Sequence, residues 1–285
     1  MADPGALGAY LRARREQVDP TSLGLPVTGN RRTPGLRREE VAALAGVSAD
    51  YYLRLEQGRD RNPSPAVLQA LARVFQLDET STDYLMGLVA PRPARRRPAR
   101  ERVPEGILDL LDALSLPAFV ENRTFDVLAA NPLASALFPA VTVGANRLRA
   151  VFLDERERAL HVNWDRVATN IVAAFRASVG ARTDDQRAVQ LVGELSLASP
   201  EFRKLWARHD VRPLAGAVTE LDHPQVGALT LRLQKLPLAD TDGQLLVIYH
   251  AAPDSPSGAA LALLGSLAVT PEDTPERDLR GSRHD

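Results

Sequence analysis

The amino-acid sequence contains no cysteine among its 285 residues. Disulfide bridges, cysteine-ligated zinc and thiol catalysis are therefore excluded. The sequence also lacks any apolar run that approaches the ~20 residues of a membrane span, and its opening segment MADPGALGAY has no signal-peptide core. These absences predict a cytoplasmic protein that does not enter a membrane.

Histidine and the common catalytic motifs are scarce as well. No two of the five histidines are four residues apart and none belongs to an HExxH motif, so the spacing does not favour a zinc site. The sequence contains no GxSxG, P-loop or GxGxxG motif, and no nucleophile that a histidine would activate. We therefore predict no catalytic residue, no metal site and no cofactor.

The length and the charge distribution indicate two domains. The chain of 285 residues is 45% hydrophobic and 25% charged, which is typical of globular proteins and long enough for two domains of ~150 residues. The net charge of −1 hides an asymmetry, because residues 1–102 hold 17 arginines against 12 acidic residues. A basic first part beside an acidic remainder suits nucleic-acid binding by one domain.

Residues 37–58, RREEVAALAGVSADYYLRLEQG, carry the most informative pattern in the chain. Gly46 falls where a turn between two short helices needs a positive φ, Ser48 precedes the second helix as its N-cap, and Gly58 ends that helix. Apolar or small side chains occupy the positions where two such helices pack: Val41, Ala42, Ala45, Val47, Tyr52 and Leu55. The pattern predicts a helix-turn-helix, and the alternative is an ordinary two-helix corner.

Three further helices complete a predicted five-helix domain over residues 5–90. The first helix is predicted at Ala6–Gln17. The fourth begins at Pro65 with Ser64 as its N-cap, and the fifth spans Glu79–Val89. The long loop after the first helix carries a pair of arginines that could rest on a DNA backbone or be solvated loop charges: Arg31 and Arg32.

The ordered segments LRREEVAALAGVS, YYLRLEQGR and NPSPAVLQALARVF, after a first helix with paired arginines, are similar to the Xre/Cro-like helix-turn-helix domain. The longer form GLRREEVAALAGVSADYYLRLEQGRDRNPSP resembles the bacterial regulators called MmyB-like. The resemblance implies that the start of the second helix grips a phosphate, that the third helix reads bases, and that the following loop adds phosphate contacts. Carried onto this chain, the predicted DNA contacts are Arg37, Arg38, Ser48, Ala49, Asp50, Tyr51, Arg54, Arg59 and Arg61.

Two details of this resemblance concern single residues. It implies that Arg15 of the first helix pairs with Glu56 late in the third helix, as a structural contact. Asp50 and Tyr51 depart from the glutamine that simpler Cro-like domains carry in the recognition helix. Asp50 could accept a hydrogen bond from a cytosine amino group, or it could only stabilise the helix N-terminus through the macrodipole, which we favour. The operator sequence is therefore not readable from the chain.

An arginine- and proline-rich linker, residues 91–104, separates the first domain from a predicted α+β domain over residues 105–265. The predicted elements are a helix at 105–114, two short strands within PAFVENRTFDVLAAN, a helix at Pro132–Phe138, long helical repeats at 155–180 and 185–209, and two late strands. The late strands GALTLRLQKLPL and QLLVIYHAA flank the hairpin signal DTDG. Strands at both ends with helices between them indicate an antiparallel sheet packed by helices.

The MmyB-like resemblance extends over this half, through PAFVENRTFDVLAANPLASALF, FLDERERALHVNWDRVA, LVGELSLASPEFRKLWARHDVR and HPQVGALTLRLQKL. It implies a PAS-like fold that binds a fatty-acid-like molecule. The expected architecture is thus an all-α five-helix Cro-like domain followed by an α+β PAS-like domain, with residues 266–285 as a disordered tail.

Four residues are candidates for the ligand pocket. Trp164, Phe175 and Trp206 are large apolar groups on predicted helices, although core packing is the more frequent role of such residues. His209 could hold a ligand or sense pH. Alternatively, it offsets the negative dipole at a helix end.

These patterns together predict a transcriptional regulator that binds a double-stranded DNA operator as a homodimer, with two recognition helices about one helical turn apart. The second domain is expected to bind a small apolar, fatty-acid-like molecule and to change the DNA affinity. The first alternative makes that domain a dimerisation or protein-interaction module without a ligand. A second alternative, an enzyme that uses the helix-turn-helix for localisation, lacks a catalytic cluster in the sequence.

Overall fold

The computed structural model describes residues 5–25, 35–60, 62–89, 101–180, 185–213 and 216–268. Three arginines considered for DNA contacts, Arg31, Arg32 and Arg61, lie outside the described residues. So do residues 90–100, which include most of the predicted linker, and all but the first three residues of the predicted tail.

Within the described part of residues 5–89, five α-helices build the first domain, which confirms its predicted all-α architecture. Two tyrosines, Tyr10 and Tyr52, are completely buried among leucines at its centre, so the domain has a hydrophobic core of its own. A 3-10 turn, Pro20–Leu23, follows the first helix. The helices are α1 Ala6–Gln17, α2 Arg38–Ala45, α3 Ala49–Glu56, α4 Pro65–Val74 and α5 Glu79–Gly87.

The turn and cap residues act as the sequence predicts. Gly46 ends α2 with φ 70°, and Gly58 follows α3 with φ 65°, a conformation that glycine adopts at little cost. The Ser48 hydroxyl accepts a hydrogen bond from the backbone N–H of Tyr51 over 3.1 Å, and Ser64 caps α4 in the same way. The predicted helix-turn-helix is therefore formed by α2 and α3.

The second domain combines a β-sheet with helices, which confirms the predicted α+β class. Its helices are α6 Glu105–Ala113, α7 Pro132–Leu137, α8 Arg147–Leu153, α9 Glu155–Leu160, α10 Trp164–Val179, α11 Gln186–Ala198, α12 Pro200–Ala207 and α13 Pro256–Ala268. Its strands are β1 Ala118–Glu121, β2 Val127–Ala130, β3 Ala217–His223, β4 Gly227–Pro237 and β5 Leu245–His250.

The five strands form one antiparallel sheet in the order β2-β1-β5-β4-β3. One face, here called the inner face, carries Phe119, Val247 and Tyr249 and packs against side chains of α7, α9 and α13. The other face packs against α6 through Leu111 and Leu246. Because side chains alternate along a strand, every second residue of β1, β4 and β5 points to the inner face.

The two long helical repeats predicted at 155–180 and 185–209 are each broken into two helices. Between α9 and α10 the chain joins the edge of the sheet, because the backbone N–H of Val162 donates to Glu220 O over 3.2 Å. Ser199 ends α11 and caps α12, which then begins with proline. Helical periodicity continues across both breaks, so the pattern alone does not reveal them.

Strand β3 is absent from the sequence prediction. It is an edge strand, paired with β4 in the described part of the sheet, and most of its residues are exposed. Thr219, Leu221 and His223 occupy its more buried positions. One leucine flanked by two polar residues gives no clear alternation of hydrophobicity, which explains why the pattern does not identify this strand.

The two domains contact each other through α1. Gln17 Nε2 donates a hydrogen bond to Arg208 O over 2.8 Å, and the Arg14 guanidinium lies 3.3 Å from an oxygen of Asp210. The Val211 side chain is buried against the core of the first domain. The segment after α12 is therefore part of the surface that holds the first domain.

Helix α1 packs so closely on α3 that Gly8 has no room for a side chain. A Cβ atom at this position would lie 2.2 Å from Glu56 O, which is a backbone atom and cannot swing away. We predict that Gly8→Ala lowers the free energy of unfolding of the first domain by about 1–3 kcal/mol. Hydrogen exchange of the α1 and α3 amides measures this change.

Gly193→Ala is the matched control for this prediction. Gly193 lies inside α11, where a Cβ atom would meet no neighbour, so alanine there should stabilise the helix by about 0.5–1 kcal/mol. Equal tolerance of both substitutions would contradict the close packing of α1 on α3.

Candidate DNA-binding surface and ligand-binding domain

Helix α3 presents one face to solvent because its other face is anchored in the core. Tyr52 and Leu55 are completely buried, and their side chains fix the rotation of the helix. The opposite face and the helix start carry the predicted base-reading residues, of which the first three are exposed and the last two half-buried: Ser48, Ala49, Asp50, Tyr51 and Arg54. The structure thus brings these five together on one surface.

Asp50 and Arg54 form an ion pair across one turn of α3. The Asp50 side chain is 74% exposed, and the Arg54 guanidinium also lies 5.7 Å from the centre of the Tyr51 ring. Asp50 stands in the first turn of the helix, where a negative charge complements the macrodipole. These contacts support the stabilising role of Asp50 that the sequence favours.

The predicted phosphate contacts surround this face. Arg37 is exposed, and its backbone N–H donates to Glu40 over 2.7 Å at the start of α2. Arg38 follows it with a side chain that is 43% exposed. Arg59 is exposed after α3, while Arg61 lies outside the described residues.

One carboxylate joins the first three helices. Glu56 of α3 accepts from Arg15 Nε of α1 and from Arg38 Nε of α2, each over 2.6 Å and each on a different oxygen. Burial alone would raise the pKa of Glu56, but hydrogen bonds from Arg15 and Arg38 outweigh it and hold that pKa below its usual range. The expected structural contact between Arg15 and Glu56 is thus present. Glu56 also pairs with Arg38, which is one of the predicted phosphate contacts.

The aromatic candidates for the ligand pocket lie in the helical layer of the second domain. Ring contacts run from Trp164 through Phe152 and Phe202 to Trp206 and on to Phe175, with centroids 5.3–6.0 Å apart. Phe175 and Phe202 are completely buried. The structure therefore brings the three candidates into one packed aromatic chain, which corresponds to the core-packing alternative.

His209 lies at the contact between the two domains. Its Nδ1 is 3.3 Å from Arg176 Nη1, and its ring is 6.4 Å from the ring of Tyr10 in α1. Burial, and then the charges of Arg176 and Arg14, lower the pKa of His209 to about 4. The imidazole is thus neutral near physiological pH and belongs to the interdomain surface.

The inner face of the sheet carries a buried ionic cluster. Glu121 of β1 is completely buried and accepts from Lys235 Nζ of β4 over 2.9 Å and from Arg147 Nη1 of α8 over 3.0 Å. Burial raises the pKa of Glu121, but the two cations outweigh this effect and keep it below its usual range. Arg147 also lies 3.4 Å from the hydroxyl of Tyr249, so strands β1, β4 and β5 all contribute to the cluster.

Glu157 of α9 and His161, the residue that follows this helix, extend this cluster. His161 Nε2 lies 3.3 Å from Glu157 Oε1, and both side chains are at least nine-tenths buried. Glu157 interacts electrostatically with Arg147 and with Tyr249. The interior beside the sheet is therefore both aromatic and charged.

The sequence pattern does not single out this cluster, although two signals point to it. Lys235 continues the inward alternation of Leu231 and Leu233 along β4, so its ammonium group faces the core. Glu121 follows Phe119 by two residues on a strand that is buried on both faces. A charged residue at an inward strand position is uncommon unless it has a partner.

Comparison with known families agrees with the geometry of both domains. Residues 6–85 match the family described as "Helix-turn-helix domain". Together with the exposed face of α3, this match defines a DNA-binding helix-turn-helix protein. Residues 103–264, more than half of the chain, match the family described as "MmyB-like transcription regulator ligand binding domain". The chain belongs to this family of transcription regulators, and its second domain is the family's ligand-binding domain. No curated protein sequence matches the chain.

One solved structure with a distant likeness is described as "Structure of an RNA-binding Light-Oxygen-Voltage Receptor". The sequence identity is 12% and the TM-score is 0.25. The alignment covers 81% of this chain and 56% of the other, so this chain spans little more than half of that structure's length. A likeness at this level carries no argument about fold or function.

The described residues contain neither a membrane-spanning helix nor a cluster of metal ligands. None of the helices there combines the length and the apolar character that crossing a bilayer requires. No group of three or more His, Asp or Glu side chains in the same residues has the arrangement of a metal site.

The shared carboxylate of Glu56 predicts a pH-dependent stability. Glu56→Gln removes the anionic partner of two arginines, one of them buried, and should destabilise the first domain by about 3–5 kcal/mol. Because its folded-state pKa is lowered, Glu56 stabilises the fold fully above the unfolded value of about 4.3, and this contribution is lost as the pH falls. Hydrogen exchange of α3 at two pH values measures both effects.

Glu39→Gln is the control, since Glu39 is an exposed carboxylate in the first turn of α2. It should change the stability by a few tenths of a kcal/mol at most. If the difference between wild type and Glu56→Gln does not shrink as the pH is lowered, the ion pairs of Glu56 are not the source of the stability.

Proposed function

We propose that the protein is a sequence-specific transcription regulator that binds a double-stranded DNA operator through α2 and α3. The observation that carries this proposal is the single exposed face of α3, with five predicted base-reading residues on it and arginines at both of its borders. The matched helix-turn-helix family supports the same assignment. The major groove of B-DNA is wide enough to admit an α-helix.

The two kinds of contact are assigned to different residues. Arg37, Arg38 and Arg59 would bind phosphates, and Arg61 would join them from outside the described residues. The α3 face would read base edges, in which case Arg54 has to exchange its partner Asp50 for a base or a phosphate. This exchange predicts selectivity, because a sequence that offers Arg54 no acceptor leaves the ion pair intact.

The second domain would bind a small apolar, fatty-acid-like molecule. The description of its family as ligand-binding supports this proposal. The inner face of the sheet supports it too, because the rings of Phe119 and Phe138 each contact that of Tyr249 beside the ionic cluster. Aromatic walls with a few placed polar groups are typical of small-molecule sites. The protein would act in the cytoplasm, where its operator lies.

A homodimer is the form in which such a regulator would contact two half-sites. Exposed leucines on α6 and at the end of β4, Leu108, Leu110 and Leu236, support an interface on the face of the sheet opposite to the ionic cluster. These same leucines favour the competing proposal that the second domain only dimerises or binds another protein.

Helix α1 offers a route from the second domain to DNA. Its Arg14 contacts Asp210 in the second domain, and the next residue, Arg15, holds Glu56 at the end of the recognition helix. A ligand that shifts the segment after α12 would change the position of α1 and hence of α3. The ligand controls DNA binding only if it binds the two arrangements with different affinity.

Arg38→Ala tests the DNA-binding surface. Removal of one phosphate contact should weaken binding to all DNA sequences and reduce the slope of log K against log salt by about one unit. Fluorescence anisotropy with operator DNA at several salt concentrations measures both quantities. Circular dichroism checks that loss of the Glu56 contact has not unfolded the domain.

Arg12→Ala is the matched control for the same charge change. Arg12 is exposed on α1 and pairs with Glu16 of the same helix. It should leave the slope nearly unchanged. If Arg38→Ala and Arg12→Ala change the DNA affinity and the salt slope to the same extent, the surface formed by α2 and α3 is not the one that binds DNA.

Native mass spectrometry of the full chain distinguishes a ligand-binding domain from a dimerisation module. We expect an added mass from a retained or supplied medium-chain fatty acid, with a stabilisation of about 2.7 kcal/mol at a hundredfold excess over the Kd. Asp210→Asn should keep the added mass but reduce the effect of the ligand on DNA affinity. Dimers without any added mass or stabilisation would favour the ligand-free alternative.

A further inference from the structure

Two buried polar atoms at the C-terminal end of α9 are left without hydrogen-bond partners among the described residues. They are Oε2 of Glu157 and Nδ1 of His161, and the side chains that carry them are only 4% and 6% exposed. Buried polar groups in native proteins nearly always find a partner, and an unmade bond to a charged group costs more than one to a neutral group. Neither of these two atoms has a hydrogen-bond partner among the described residues.

The surroundings of the pair define the charge that such a partner can carry. Among the described residues, the cluster contains the carboxylates Glu121 and Glu157 and the cations Arg147 and Lys235. Formally these four charges cancel. Both oxygens of Glu121 already accept from the two cations, so the free oxygen of Glu157 is the acceptor that remains available.

The unpartnered pair lies next to apolar surface. The Phe138 ring is 6.4 Å from the ring of His161 and 4.8 Å from that of Tyr249, and Leu160 is buried beside them. The chain reaches solvent directly after His161, because Val162 is 64% exposed at the break between α9 and α10. The unpartnered atoms of Glu157 and His161, and the apolar rings beside them, thus lie close to the exposed chain at Val162.

We propose that Glu157 and His161 bind the polar end of the ligand, and that this end is an uncharged hydrogen-bond donor such as a hydroxyl, an amide N–H or an un-ionised carboxylic acid. The inference rests on the proposed ligand-binding function and specifies the ligand class. His161 Nε2 faces the Glu157 carboxylate and carries the proton of the neutral imidazole, so Nδ1, like Glu157 Oε2, is a hydrogen-bond acceptor. The donor group bonds to Glu157 Oε2, a second N–H such as that of a primary amide bonds to His161 Nδ1, and the apolar chain lies along Phe138 and Tyr249.

An ionised carboxylate fits this site poorly. It would add a fifth charge to four that already cancel, and it would place that charge beside Glu157 without a donor for the free oxygen. Buried unpaired charges are among the most costly groups in a protein interior. A purely accepting head group, such as an ester, would leave the Glu157 oxygen equally unsatisfied.

Four ligands with the same apolar chain and different head groups test this inference on the full wild-type chain. They are decan-1-ol, decanamide, decanoate and methyl decanoate, titrated near neutral pH and followed by calorimetry. The two donors should bind about tenfold to a hundredfold tighter than the anion and the ester, because a hydrogen bond to a buried charged acceptor is gained.

Glu157→Gln changes the charge of the cluster with little change in shape. The variant site carries one excess positive charge, so decanoate should gain affinity and decan-1-ol should lose it, which reverses the wild-type order. Glu155→Gln is the matched control, since Glu155 is exposed on the same helix. It should keep the wild-type order. If Glu157→Gln does not fold, the wild-type order alone decides.

The outcomes separate this inference from the proposed function. Tightest binding of decanoate, or equal binding of all four compounds, would overturn the head-group assignment while ligand binding stands. In that case water or a local rearrangement satisfies the two atoms. Absence of binding by every compound would overturn both the ligand-binding proposal and this inference.

Discussion

The arrangement of the DNA-binding domain depends on the carboxylate of Glu56. Each of its oxygens accepts from one arginine, and these arginines come from α1 and α2, while Glu56 itself ends the recognition helix. The side chain is almost completely buried, so the attraction is weakly screened and the pairing fixes three helices relative to one another. Gly8 allows the close approach of α1 that this pairing needs. The exposed face of α3 is a consequence of these contacts, because it is the side that they leave free.

The same first helix is the surface on which the second domain rests. Arg14 and Arg15 are neighbours in sequence and therefore point about 100° apart around α1. Arg14 faces Asp210, and Arg15 faces Glu56. The segment after α12 thus contacts the helix that positions α3. Val211, buried in the first domain's core, makes this contact apolar as well as ionic.

The sequence was sufficient for most of the first domain because its signals are local. Gly46, Ser48 and Ser64 mark turns and caps through their own backbone or side-chain chemistry, and the structure has them in those roles. The second domain depends on contacts between distant segments. Helical periodicity cannot reveal that Val162 joins the sheet edge, and the edge strand β3 has too few buried apolar residues to form a pattern. The ionic cluster was missed for the same reason, since three strands and two helices assemble it.

Each domain contains a buried glutamate whose two oxygens accept from two cations. Around Glu56 both cations come from the helices that it joins, and both carboxylate oxygens have partners. Around Glu121 the pairing with Arg147 and Lys235 is equally complete, yet Glu157 and His161 stand beside it with unpartnered atoms. A core that served packing alone would gain from apolar side chains at these two positions. Their polarity is the observation on which the proposed head-group contact rests.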